Sequence, residues 1–127
     1  MVKLKLHFES IGDIIVKLID KNPKTKEAFL KAIPFTSEAM RWGDEIYFST
    51  PVRVGLEVSQ EVVEKGDVAY WPPGRALCLF FGKTPASTSP NEIRPASPVN
   101  VFGKIEGDLE ILKRVKDGEK VEVTLLE

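Results

Sequence analysis

Hydrophobic and polar residues alternate one by one at the start of the chain: Val2, Leu4, Leu6 and Phe8 against Lys3, Lys5, His7 and Glu9. A period of two sends one set to a buried face and the other to water, so the stretch predicts a half-buried strand. Residues 10–13 form its turn, and Ile14, Val16 and Leu18 carry the alternation into a second strand. The period then changes. Asn22 is placed to cap a helix with Pro23 at its first position. Ala28, Phe29, Ala32 and Ile33 fall on one helical face, and Pro34 ends the run.

Further along, residues 46–48, 54–58 and 67–71 read as short strands, and 76–81 is a nearly continuous apolar run suited to a strand inside a sheet. Residues 84–98 hold four prolines and three serines without periodicity and read as a loop. A strand follows over 99–105. Asp108 is placed to cap a short helix carrying Leu109, Ile111, Leu112 and Val115, closed by Gly118. Val121, Val123 and Leu125 alternate to the end. About eight short strands and two helices make a mainly β chain. Closure into a barrel is the economical way to remove sheet edges, with the helices as plugs for its ends.

Composition narrows the picture. The 127 residues make a single domain, residues 1–127, large enough for a core without staples. A net charge of −1 offers no single-sign field, so neither nucleic acid nor a membrane surface is expected as a partner. No apolar run reaches the roughly 18 residues of a membrane span, and the N-terminus lacks the apolar core of a signal peptide. Cys78 and His7 are the only cysteine and histidine. They leave no intramolecular disulfide and no Cys/His zinc site, so no metal or cofactor is expected, and the chain reads as cytoplasmic. A single glutamine and three asparagines, beside abundant Lys and Glu, lean towards a thermophile.

Candidate chemistry is sparse. His7 lies between lysines on a polar strand face, and Cys78 within an apolar run reads as core. Asp44 and Glu45 are adjacent, so a strand turns them to opposite faces and they form no paired-carboxylate site. Trp42, Tyr47 and Trp71 divide evenly between packing and ligand contact. Trp71 precedes Pro72-Pro73-Gly74, a stiff turn able to display an aromatic ring.

Two stretches carry a resemblance. Gly12–Leu18 is followed by Pro23-Lys24-Thr25 and, four residues on, Phe29; Phe102-Gly103-Lys104-Ile105 precedes the second helical segment. In order and spacing they resemble the cyclophilins, the prolyl isomerases. The resemblance implies a closed eight-stranded β-barrel with two capping helices. Gly43-Asp44-Glu45-Ile46-Tyr47-Phe48, then Gly66-Asp67-Val68-Ala69-Tyr70-Trp71-Pro72-Pro73-Gly74, then Phe80-Phe81-Gly82 are similar to a small prokaryotic cyclophilin-like family.

Prolyl isomerisation works against a barrier of about 20 kcal/mol and needs an apolar proline pocket with a donor aimed at the imide nitrogen. In cyclophilins that donor is an arginine in a Phe-His-Arg strand, a triplet absent here; aligned on Pro51, Phe48 takes its place. The family's Ser-Gln-Phe-Phe strand corresponds to Cys78-Leu79-Phe80-Phe81, keeping the pocket phenylalanine as Phe81 and replacing the glutamine by Leu79. On this alignment Phe80 points into the barrel and Phe81 out. The cleft tryptophan maps near Arg94. The resemblance thus implies a ligand site of Tyr47, Phe48, Trp71, Arg75, Leu79, Phe81 and Arg94, with Arg75 or Arg94 meeting an anionic group. Its occupant would be a small molecule or an extended peptide; a divergent prolyl isomerase is the alternative. The pattern is compatible with a homo-oligomer.

Overall fold

A computed structural model describes residues 2–126. Its elements are β1 (Lys3–Phe8), β2 (Gly12–Leu18), α1 (Pro23–Ala32), β3 (Phe35–Glu38), β4 (Met40–Arg41), β5 (Glu45–Ser49), β6 (Ser59–Gln60), β7 (Asp67–Trp71), β8 (Ala76–Phe80), β9 (Val99–Glu106) and β10 (Lys120–Leu126), with 3₁₀ turns at Pro72–Gly74 and Glu110–Arg114. All pairings are antiparallel, in the order β3-β10-β1-β2-β9-β7-β8-β5-β4, with β6 added to β9.

The expected closed eight-stranded barrel is corrected on three points. The described residues form ten strands. The sheet is not closed: its terminal strands β3 and β4 are successive in the chain, separated only by Ala39. Ala39 spends its backbone groups on Glu119 and Gly118. Where β3 approaches β5, the Ser37 and Ser49 hydroxyls meet at 3.3 Å instead of a backbone ladder. The second capping helix is a five-residue 3₁₀ segment. Gly107 and Gly118, both at positive φ, flank the segment, and Asp108 accepts from the Glu110 N–H at 3.0 Å.

The main core lies on one face of the sheet. Leu4, Leu6 and Phe8 of β1 meet Ile14, Val16 and Leu18 of β2, and Val121 and Val123 of β10, all buried as the alternation predicts. Phe29 of α1 is fully buried, stacked on Phe102 at 4.4 Å and edge-on to Tyr70 at 5.7 Å. Leu112 enters the same core from the 3₁₀ turn. Burying a large apolar side chain of this kind contributes about 1.5–3 kcal/mol, so Phe29 anchors α1.

Residues 54–58 are irregular, not a strand. Their backbone is held by two buried asparagines. Asn100 accepts from the Glu57 N–H at 2.9 Å and donates to the Gly55 carbonyl at 2.9 Å, while Asn22 accepts from the Val58 N–H at 2.6 Å. Asn22 makes no cap bond. The Glu57 carboxylate does that work, accepting from the Lys24 and Thr25 N–H groups at 3.1 Å each. Burial would raise the Glu57 carboxyl, but these donors and the Thr25 hydroxyl outweigh it and hold the group below its usual value.

The centre of the sheet is buried on both sides. Val68, Tyr70, Leu77 and Leu79 face the main core; Ala69, Ala76, Cys78 and Phe80 face a second cluster with Val63, Ile93, Val99 and Val101. Residues 84–98 supply part of its cover, because Ile93 bridges to Val63. This second face carries the candidate site.

Candidate functional site: an aromatic cavity with a buried carboxyl

The hairpin between β4 and β5 turns through Gly43 at φ 62°, where a Cβ would stand 2.9 Å from the Lys83 carbonyl oxygen. The turn places Trp42 opposite Glu45: each backbone N–H donates to the other's carbonyl, at 2.9 and 3.2 Å. Opposed residues share a sheet face, and Tyr47 follows two positions on. Tyr47 is paired with Cys78 of β8, and Cys78 with Ala69 of β7. The ladder thus gathers Trp42, Glu45, Tyr47 and Cys78 on the second face, although they span 37 positions of the chain.

These residues, with Trp71, Ala96 and Val99, line a cavity of about 260 Å³. Trp71 ends β7, where Pro72 and Pro73 start the 3₁₀ turn. Gly74 lets its ring lie against that turn, for a Cβ there would meet the indole at 2.6 Å. The indole N–H donates to the Ser97 hydroxyl at 2.6 Å, tying the wall to the 84–98 loop.

Glu45 is the one acidic side chain of an otherwise apolar and aromatic lining. It is 6% exposed, and its Oε1 is buried without a hydrogen-bond partner. Burial pushes its carboxyl up from 4.5 to about 7, the Cys78 thiol pulling slightly the other way. Burial, then the neighbouring Glu45 charge, holds the Cys78 thiol well above its usual range, so it is a neutral, unreactive wall atom.

Of the residues expected at the site, Tyr47 and Trp71 line this cavity. Phe48, Leu79 and Phe81 do not: they are 1%, 0% and 2% exposed and belong to the main core. Phe80, expected inside, lies on the second face. The faces of residues 78–81 are exchanged relative to that expectation, as a slip of one position does in a pattern of period two. Cys78 lines the cavity in place of Leu79, and Phe80 shares its sheet face without lining the cavity. Phe81 instead carries the Arg41 guanidinium at 5.1 Å from its ring centroid. Neither arginine lines the cavity. Arg75 is exposed at φ 48°, its carbonyl bonded by Thr50, and the Arg94 guanidinium is engaged by Glu92 through two bonds of 3.1 and 3.0 Å. Glu45, which in the sequence offers no carboxylate pair with Asp44, joins the site through its alternation with Tyr47. Trp42 is the second tryptophan of the lining.

His7 pairs with Asp13 at 2.7 Å on the exposed face of β1 and β2, remote in the ladder from the cavity. Among the described residues, no group of three His, Cys, Asp or Glu side chains is placed to hold a metal ion, and no helix is long and apolar enough to cross a membrane.

The model of a family described as cyclophilin-like matches residues 2–124. The chain belongs to the cyclophilin-like family. A hypothetical protein of Archaeoglobus fulgidus, whose solution structure is known, is 52% identical, with a TM-score of 0.82 over 97% of this chain and 93% of that one. No curated protein matches the chain.

Proposed function

We propose that this cyclophilin-like chain is a binding module whose ligand, a small molecule or one side chain of an extended peptide, enters the cavity between Trp42, Tyr47 and Trp71. The observation that carries the reading is the unpartnered Oε1 of Glu45 inside an apolar pocket. A buried carboxyl with an unpartnered oxygen, its near donor the weak Cys78 thiol, costs stability unless something else offsets it. A concave, mostly apolar site with a single oriented polar group is the form ligand sites take.

Prolyl isomerisation receives no comparable support. No arginine lines the cavity, and Arg41 is committed to the Gly43, Lys113 and Val115 carbonyls. A fragment screen followed by amide and indole NMR shifts tests the proposal. Hits should shift the Trp42 and Trp71 indoles and the Tyr47 and Cys78 amides, and Trp71→Ala should abolish them. Hits that shift only other surfaces would refute it. On a standard X-Pro peptide, no acceleration is expected; acceleration lost in Trp71→Ala would make the cavity an isomerase site instead.

A further inference from the structure

Building on that binding role, we infer that the cavity recognises an organic cation, an ammonium group whose nitrogen carries alkyl substituents. The sign of the charge follows from the lining. Lys and Arg are absent from it, and Glu45 is its carboxyl group. A carboxylate surrounded by Trp42, Tyr47, Trp71, Ala96 and Val99 has no counter-charge of its own there, so a cationic ligand is the species that completes it.

The shape of the charge follows from the walls. Indole and phenol faces attract a cation through their quadrupoles, most effectively when the cation is shielded from water. Donor count then separates the ammonium types. A primary ammonium brings three N–H donors, whereas the lining is apolar and aromatic apart from the Glu45 carboxyl and the Tyr47 hydroxyl. A tertiary ammonium brings one donor and a quaternary one none, and their alkyl groups pack on the apolar wall of Cys78, Ala96 and Val99.

Around Glu45 the Cys78 thiol is a weak donor and no Lys or Arg lines the cavity, so the carboxylate is left to act as the counter-ion. Trp42 stands opposite across the hairpin, Phe80 opposite on β8, and Cys78 and Tyr47 lie beside it on the same face. Asp44, next in the chain, points away towards Arg41 at 3.6 Å. The Glu45 carboxyl, raised by burial to about 7, is half-protonated near that pH. A cation therefore binds more tightly as the pH rises and Glu45 ionises.

Calorimetric titration with choline, its neutral isostere 3,3-dimethyl-1-butanol, and ethanolamine tests the inference. Choline should bind at least about tenfold more tightly than either of the others. Its affinity should rise between about pH 6 and 8 in the wild type and stay flat in Glu45→Gln, where the preference over the alcohol should collapse. Equal affinity for choline and the alcohol would overturn the cationic ligand while leaving the binding role intact. Ethanolamine binding as tightly as choline would overturn the alkylated ammonium. Failure of all three removes the cation; failure of the fragment screen as well removes the binding role.

Discussion

The Trp71 indole N–H and the Ser97 hydroxyl, 2.6 Å apart, join one wall of the cavity to the loop that covers it. The bond crosses 26 positions and is the side-chain tie that orients the indole. A ring free to rotate would present its edge as readily as its face, so this contact sets the shape a ligand meets. Ser97→Ala should cost about 1 kcal/mol in urea unfolding. It should also shift tryptophan emission and speed amide exchange over residues 94–98. Unchanged emission and exchange would show that the loop holds the ring by packing alone.

Gly74 controls the same ring from below. A methyl group there would stand 2.6 Å from the indole, well inside contact distance. Gly74→Ala should therefore displace Trp71 at a cost of about 1–3 kcal/mol, the usual range for overpacking. Tryptophan emission and probe affinity should change together. A variant with wild-type stability and emission would place the ring elsewhere.

Glu45 makes stability fall as the pH rises. Its carboxyl titrates near 4.5 when unfolded and near 7 in the folded chain, so between those values the folded state holds the extra proton. Its contribution is fully present below about pH 4.5, declines as the pH rises, and is gone above about pH 7, a loss of about 3 kcal/mol. Other carboxylates act in the opposite sense. Glu57 is held low, and so is Glu92, at about 2 through its bonds to Arg94 and Thr88. The informative quantity is thus the difference between wild type and Glu45→Gln in urea unfolding at several pH values. Glu45→Gln should be the more stable above pH 7, with the gap shrinking at pH 4. A gap independent of pH would contradict the raised carboxyl.

Asn100 is fully buried and bonds to the Glu57 N–H, the Gly55 carbonyl and the Thr25 hydroxyl, so it holds α1 and residues 54–58 at once. Asn100→Ala should cost about 3 kcal/mol, because it leaves buried partners unsatisfied. The wild-type midpoint should lie above the 45–65 °C common among mesophile domains if the scarcity of Asn and Gln reflects a hot habitat. A loss under about 1 kcal/mol would show that water replaces the asparagine.

The sequence by itself determined the elements with one wet face. In β1 and β2 every second residue meets solvent, so the alternation of Leu4, Leu6 and Phe8 with lysines and His7 was enough to orient them, whereas in β10 it holds for Val121 and Val123 and fails at Leu125, which is 44% exposed. Phe29 was legible for the same reason, at the helical period. The 76–81 segment carried no such mark. Both its faces are buried, so all its residues are apolar, and nothing local distinguishes Leu79 from Phe80. Only the pairing of Tyr47 with Cys78 decides the faces, and it moved the site from Phe81 and Leu79 to Glu45 and Cys78. The strand at 54–58 failed similarly: its bonds go to Asn22 and Asn100, distant in sequence. Closure of the sheet also depends on where β3 and β4 end in space. Local pattern reports which residues avoid water; what they meet there is a property of contacts between remote segments, and the cavity is made of such contacts.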